Sequence, residues 1–295
     1  MLPNVQRTDA ADHVPVLAEE VRELLSVQPG ETIVDGTFGA GGHSRLLAED
    51  LQGSGKLVAI DRDPTVRSYF DRVKASTRGV QMRFLRGDYA IVLAQLAGNG
   101  VRADAVLLDL GLSSMQVDRP ERGFSYATDA PLDMRMDTSD ELSAADVIAT
   151  WDERELETIF RKYGEERYAR PIARAIVRRR SESPIERTGQ LVDVVRASIP
   201  APARFGEGHP AKRVFQALRI EVNHELESLE AGLPAALEML RPGGQLPLAR
   251  GPHRQALPPR PCARLHLPAR VPHLRVRARA RAADPDAEAR AAIGS

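Results

Sequence analysis

Short apolar runs alternate with amphipathic stretches along the first 110 residues of the chain. The apolar runs predict strands over residues 31–37, 56–60, 81–86 and 105–108. The stretches between them predict helices over residues 43–51, 64–76 and 90–97. Strands that alternate with helices predict a parallel sheet with right-handed crossovers. An acid stands at or next to the end of each strand, and sheets of this class bind ligands at the carboxyl ends of their strands.

A different pattern begins after Ser114. Polar residues 117–140 predict a loop, residues 143–199 predict helices alone, and residues 200–210 predict a Pro/Gly linker. An amphipathic helix is predicted over 212–230, because five apolar residues fall on one stripe: Val214, Leu218, Val222, Leu226 and Leu229.

The Pro-Gly-Gly run that ends at residue 244 predicts a return to a strand. We therefore expect an α/β domain built from residues 1–114 and 212–244. A mainly helical insertion domain is expected over 115–211, and an atypical tail over 245–295.

Composition predicts a soluble cytoplasmic protein. The 295 residues are 42% hydrophobic, enough for one or two domains with packed cores. Cys262 is the single cysteine, so no disulfide can form within the chain, which suits a reducing compartment. No apolar run approaches the roughly 20 residues that span a bilayer, and the first residues lack the apolar stretch of a signal peptide. We expect no membrane partner and no metal.

Charge is unevenly distributed, although the formal net charge is zero. Residues 245–295 hold ten Arg and three acids, which leaves 31 basic and 38 acidic residues before them. Any RNA contact in the first 244 residues must therefore be local. One candidate for such a contact is a row of arginines at helical spacing, which could meet phosphates. The alternative is that these arginines form a solvated helix face paired with Glu165 and Glu166. The members of the row are Arg167, Arg170, Arg174 and Arg178.

The stretch VDGTFGAGGHSR, residues 34–45, follows the first predicted strand. Backbone NH groups at the start of the next helix can approach a carboxylate or phosphate, because Gly39, Gly41 and Gly42 carry no Cβ. Asp61, about twenty residues later, is placed to accept hydrogen bonds from ribose hydroxyls. The combination fits NAD, FAD or S-adenosylmethionine; the alternative is a glycine turn of any α/β protein.

The next two strand ends favour S-adenosylmethionine. Asp88 and Tyr89 are placed to hold an adenine, and Asp109 ends the fourth strand, where methyltransferases place the group that meets a target amine. The alternative for Asp88 and Asp109 is helix capping or turn formation.

Several longer motifs carry a resemblance to one family: HVPVLAEEV, VDGTFGAGGHS, AIDRDP, LLDLGLSS, ERGFSY, PLDMRMD, YGEERYARPIARAIV and FQALRIEVNHEL. Over residues 13–244 the chain resembles the ribosomal RNA small subunit methyltransferase H family. The resemblance implies a Rossmann-like, S-adenosylmethionine-dependent domain with a helical insertion. It also implies methylation of N4 of a cytidine in the decoding region of bacterial 16S rRNA.

The resemblance also implies which residues contact the cofactor: Gly41, Gly42, His43, Asp61, Tyr89, Asp109 and Gln116. For His43 the alternative is that only its backbone NH takes part. Asp109 is the expected acceptor for the protons of the amine. It lies in Asp109-Leu110-Gly111-Leu112 instead of the Asp/Asn-Pro-Pro-aromatic motif of many amine methyltransferases. Ser113 and Ser114 either add polar contacts or cap the next turn.

Two other functions compete with rRNA methylation. An NAD-dependent oxidoreductase would use the same glycine loop and Asp61, but the chain has no Tyr-x-x-x-Lys or other hydride-transfer constellation. The second alternative is a non-catalytic module that binds the cofactor or RNA.

The tail departs from the family after residue 244. Where the family has a segment similar to SFHSLEDRIVKRF, this chain has QLPLARGPHRQALPPRP, whose prolines argue against a central strand. Codons that encode Gln245–Arg260 can be chosen so that a one-base shift yields SFHSLEDRIVKRFLR. We therefore predict a frame-shifted, poorly ordered tail and impaired catalysis; the alternative is a natural Arg/Pro tail that binds RNA.

Overall fold

The computed structural model describes residues 15, 17–204 and 208–250. The strands are β1 Thr32–Asp35, β2 Lys56–Asp61, β3 Gln81–Arg86, β4 Ala103–Leu110, β5 Leu240–Gln245 and β6 Leu248–Arg250. The helices that accompany the sheet before the insertion are α1 Ala18–Leu25, α2 Gly42–Asp50, α3 Arg67–Ser76 and α4 Tyr89–Gly98. The later helices are α5 Ser114–Val117, α6 Ala144–Thr150, α7 Glu153–Lys162, α8 Ala169–Glu182, α9 Thr188–Ser198, α10 Ala201–Arg204, α11 Lys212–Val222 and α12 Glu225–Met239.

The strands form one parallel sheet in the order β3-β2-β1-β4-β5, with β6 also paired to β4. All its pairings are parallel, so the carboxyl ends of β1 to β4 lie along one edge. The alternating pattern thus predicted the fold class, and the Rossmann-like α/β architecture is confirmed.

Two apolar layers cover the sheet, because successive strand residues point to opposite faces. Ile33 and Leu57 pack on one face with Val21 of α1, Leu47 of α2 and Phe70 of α3. The other face buries side chains of the strands against α4 and α12: Val34, Ile60, Val106, Leu93, Leu229 and Leu233.

The predicted helical stretch forms a separate hydrophobic core. Its buried centre includes Leu132, Ile148, Phe160, Ile176 and Leu191. The helices expected over 143–199 are confirmed as α6, α7, α8 and α9. The linker expected over 200–210 begins with the short helix α10.

The single helix predicted over 212–230 is wrong, because the chain turns between α11 and α12. His224 adopts φ 49°, outside the helical region. The buried Asn223 side chain donates to the carbonyls of Met134 and Arg219, both at 2.8 Å, and accepts from the Met136 NH at 2.6 Å. These bonds fix the turn, which amphipathic periodicity cannot show.

The turn also redirects the predicted stripe. Val214, Leu218 and Val222 of α11 pack in the core of the insertion, whereas Leu229 of α12 packs against the sheet. Leu226, early in α12, still packs against the core of the insertion, so packing changes partner only between Leu226 and Leu229, well after residue 212, the predicted start of the second α/β segment. The division of the chain into domains stays a prediction.

The expectation that prolines exclude a strand after residue 244 is wrong for Leu248–Arg250. This short β6 pairs in parallel with Leu108–Leu110 of β4. Pro247, which has no NH to donate, stands just before this strand. It still takes part in the pairing, because its carbonyl accepts a hydrogen bond from the Leu108 NH at 3.3 Å. Residues 251–295, with the rest of the predicted frame-shifted tail, lie outside the described residues.

Asn223→Ala is expected to lower the free energy of unfolding by about 2–3 kcal/mol, because buried backbone groups of Met134 and Met136 lose their partner. Urea denaturation measures this change. Asn99→Ala is the matched control, since Asn99 is exposed at the end of α4. Equal stability of the two variants would contradict the proposed role of Asn223.

Candidate functional site

The glycine loop joins β1 to α2 at the carboxyl edge of the sheet. Gly39 and Gly41 adopt φ +54° and +80°, where residues with a side chain are strained. A Cβ on Gly41 would lie 2.6 Å from Phe38 Cζ, and one on Gly39 would lie 3.2 Å from Ser113 Cβ. Gly42 opens α2 beside Pro15, whose nearest atoms would be 3.2 Å from its Cβ. Backbone geometry therefore already accounts for Gly39 and Gly41, whereas a side chain at Gly42 would only require Pro15 to move by a few tenths of an ångström.

Asp61, the last residue of β2, holds this loop. Its Oδ2 accepts a hydrogen bond from the Gly39 NH at 2.7 Å, and its Oδ1 accepts one from the Asp63 NH at 2.9 Å. Burial raises the pKa of Asp61 to about 6, and the two backbone hydrogen bonds oppose this rise. The sequence did not predict these two hydrogen bonds, because it assigned Asp61 to the ribose of a cofactor, and that role stays a prediction.

Asp35 is a buried acid next to the candidate site that the sequence did not single out, although it lies inside the quoted VDGT motif. It is fully buried at the end of β1 and accepts from Ser44 Oγ at 2.7 Å and the Thr37 NH at 3.0 Å. Burial raises its pKa to about 6, and the nearby Asp109 carboxylate adds to that rise. Asp35 therefore ties α2 to the loop that precedes it.

Asp109 lies near the end of β4, beside the glycine loop. Its backbone NH donates to Thr37 Oγ1 at 2.6 Å, and its Oδ2 lies 3.8 Å from His43 Nε2. Burial raises the pKa of Asp109 to about 6. His43 is itself buried in the first turn of α2. The structure thus brings two predicted site residues together, and it places the His43 side chain, not only its backbone, next to the Asp109 carboxylate.

Asp88 has the capping role that was its alternative. It is the N-cap of α4, with Oδ1 accepting from the Ala90 NH at 2.7 Å and Oδ2 accepting from Ser228 Oγ at 2.5 Å. The Tyr89 ring packs beside Gly232 of α12, where an added Cβ would lie 2.8 Å from Cε2. Burial raises the pKa of Tyr89 above its ordinary value.

Gln116 belongs to a buried polar cluster around Asp63. Its Oε1 accepts from the Ser113 NH at 3.2 Å, and its Nε2 lies 3.4 Å from Asp63 Oδ2. Arg122 donates to the same oxygen at 2.9 Å and to the carbonyls of Arg135 and Met136. Both members of the Asp63–Arg122 ion pair are buried. This pair was missed, because no local pattern joins residues 59 positions apart.

Several buried polar atoms at the carboxyl edge have no hydrogen-bond partner in the described part of the chain. They include Arg62 Nε, Tyr89 OH, Asp109 Oδ1, Ser113 Oγ and Arg122 Nε. Four of these residues follow or end β2, β3 and β4 at the carboxyl edge, and the fifth packs on Asp63 there. Because an unpaired buried polar atom costs about 1–3 kcal/mol, a polar ligand at this edge would relieve several such costs.

The donors and acceptors suit a nucleoside cofactor. Arg62 Nε and Arg122 Nε donate, Asp109 Oδ1 accepts, and the hydroxyls of Tyr89 and Ser113 do either.

No cluster of three or more His, Cys, Asp or Glu in the described residues could hold a metal ion. Among the same residues, no helix is long and apolar enough to cross a membrane.

Comparisons with known proteins show a family and several relatives. A family model described as the MraW methylase family matches residues 10–249. Ribosomal RNA small subunit methyltransferase H of Mycolicibacterium gilvum is 51% identical over 243 residues, which are 81% of this chain and 65% of that protein. The protein of the same name from Heliobacterium modesticaldum is 48% identical, over 79% of this chain and 75% of that protein. The chain thus spans about two thirds to three quarters of the length of these relatives.

Asp109→Asn is expected to stabilise the fold by about 1–3 kcal/mol at pH 8, because it removes a charge from a carboxylate whose burial raises its pKa from 3.8 to about 6. The raised pKa makes the native state bind the proton more tightly. Stability of the parent chain therefore falls as pH rises from 3.8 to 6, and the advantage of the variant disappears below that window.

Urea denaturation at pH 4 and pH 8 tests this difference. Asp193→Asn is the control, since Asp193 is exposed on α9. A benefit of the same size at both pH values would contradict the raised pKa of Asp109.

Proposed function

Because the chain belongs to the MraW methylase family, we propose that it is an rRNA small subunit methyltransferase that uses S-adenosylmethionine. The proposed target is N4 of a cytidine in the decoding region of 16S rRNA. The observation that carries the proposal is the set of unpaired buried polar atoms at the carboxyl edge, beside a glycine loop held by Asp61.

The glycine loop and Asp61 bind the cofactor in this proposal. When bound, S-adenosylmethionine supplies an activated methyl group. The Asp61 carboxylate uses its free acceptor capacity for the ribose hydroxyls, since each oxygen accepts one backbone hydrogen bond and has room for another. Tyr89 and Gln116 lie at the same edge of the sheet. Tyr89 packs next to Gly232, and Gln116 lies next to Asp63.

Asp109 orients the target amine. Cytosine N4 is a weak nucleophile, because its lone pair is delocalised into the ring. Asp109 Oδ1, buried and unpaired in the described part of the chain, accepts a hydrogen bond from the amine and then the proton that it releases on methylation. A carboxyl group with a pKa of about 6 is well matched to this exchange near neutral pH. The base must leave its stack to reach this position.

Asp61→Asn is expected to weaken binding of S-adenosylmethionine by roughly 1–3 kcal/mol, because a charge-assisted hydrogen bond becomes a neutral one. Isothermal titration calorimetry with the full chain gives the affinity. Asp71→Asn, an exposed change on α3, should bind as the parent does. Undiminished affinity in a folded Asp61→Asn variant would rule out the ribose contact. If NAD gives a heat of binding in the same experiment and S-adenosylmethionine does not, the result would favour an oxidoreductase.

Asp109→Asn is expected to slow single-turnover methyl transfer by about 10²–10³-fold while cofactor affinity changes much less, because the amine is activated only during the reaction. The substrate is small ribosomal subunits from a strain that lacks this methylation, and mass spectrometry of the nucleosides identifies the product. A parent chain that binds S-adenosylmethionine but methylates no cytidine would support the non-catalytic alternative. Transfer at the parent rate would remove Asp109 from the reaction.

A further inference from the structure

Helix α8 buries one face and exposes a row of arginines on the other. Ile172, Ala173 and Ile176 are buried in the core of the insertion. Exposed arginines occupy the opposite face and the turn just before it: Arg167, Arg170, Arg174 and Arg178. We call these four residues the α8 arginine face. No acid occurs in α8 before its last residue, Glu182.

Neighbouring acids leave most of this charge unbalanced. Arg174 lies 3.4 Å from Glu153 of α7, but its side chain is 62% exposed, so this contact is weak. The Arg167 guanidinium lies 5.6 Å from the centre of the Tyr168 ring. Arg170 and Arg178 have no ion-pair partner among the described residues.

Glu165 and Glu166 do not neutralise the face, which was the alternative expected from the sequence. Glu166 is buried and accepts a hydrogen bond from the Tyr168 NH at 2.8 Å. The only acid of α7 within ion-pair distance of the face in the described residues is Glu153. The first 244 residues carry an excess of acidic residues. The α8 arginine face is therefore a local patch of positive electrostatic potential.

Helix α11 connects this face to the carboxyl edge of the sheet. At its start, Arg213 donates to the Glu165 carbonyl at 2.9 Å, next to Arg167. At its end, the Asn223 carbonyl accepts from Arg62, which follows β2. Ten residues of helix separate the two points, or about 15 Å at 1.5 Å per residue. Helix α11 therefore has one end beside the start of the arginine face and the other end beside Arg62 of the candidate site.

We propose that the α8 arginine face binds the phosphate backbone of the RNA whose target nucleotide enters the carboxyl edge. The proposal rests on the proposed function and adds the surface that positions its substrate. Guanidinium groups suit phosphate because their planar fork donates two parallel hydrogen bonds. Such contacts set the register of the RNA and carry no base specificity.

The test is the salt dependence of RNA binding by the full-length triple variant Arg170→Gln/Arg174→Gln/Arg178→Gln. Glutamine keeps the helix propensity and much of the length of arginine. Each lost phosphate contact lowers the slope of log affinity against log salt by about 0.7–0.9, so we expect a slope smaller by about 2–3. At low salt, affinity for 16S rRNA should fall about tenfold or more.

A matched triple variant removes equal charge from the opposite edge of the sheet: Lys56→Gln/Arg78→Gln/Arg102→Gln. These residues are exposed at or before the starts of β2, β3 and β4. Its slope should stay close to that of the parent. Calorimetry with S-adenosylmethionine checks that all three proteins keep an intact α/β domain, and circular dichroism checks the helices.

An unchanged slope and affinity in the α8 variant would overturn the surface and leave the proposed function standing. An equal loss in both triple variants would also overturn it, because net charge alone would then explain binding. A parent chain that does not bind 16S rRNA at any salt concentration would overturn both the surface and the proposed function.

Discussion

The buried ion pair between Asp63 and Arg122 is the interaction on which the candidate site depends. Asp63 follows β2, whereas Arg122 lies in the segment that was expected to form the insertion, so their bond ties that segment to the carboxyl edge of the sheet. Arg122 also donates to the carbonyls of Arg135 and Met136, and thereby holds the loop on which both lie. Removal of either partner would leave a buried charge uncompensated, a change that commonly costs 3–5 kcal/mol.

Electrostatics at the carboxyl edge follow from this arrangement. Asp35, Asp61, Asp63 and Asp109 crowd one end of the sheet, and Asp63 alone among them has an arginine within ion-pair distance in the described residues. Burial raises the pKa of the other three to about 6. An edge with this composition favours ligands that bring positive charge, as the sulfonium group of S-adenosylmethionine does.

Periodicity and spacing predicted the sheet well, because each strand carries its own apolar signal and each parallel crossover constrains the next. They also singled out Asp61 as a candidate ribose acceptor, but not its hydrogen bond to the NH of Gly39 in the glycine loop. The break at Asn223 was not predictable, since it depends on backbone groups of Met134 and Met136 almost ninety residues away. Arg122 and the role of Asp35 were missed for the same reason, because the tertiary fold determines which groups these side chains contact.

Strand order has a consequence for synthesis of the chain on the ribosome. The partners of β4 on its outer side are β5 and β6, which begin about 130 residues after β4 ends. At 5–20 residues per second, roughly 7–25 s pass before they are made. During that interval β4 has no partner strand on its outer side, and its apolar residues lie at an open sheet edge. The helices of the insertion can already pack, because their contacts are mostly with one another. Nascent chains of this protein are therefore most exposed to aggregation, and most in need of a chaperone, between the completion of β4 and the arrival of residue 250.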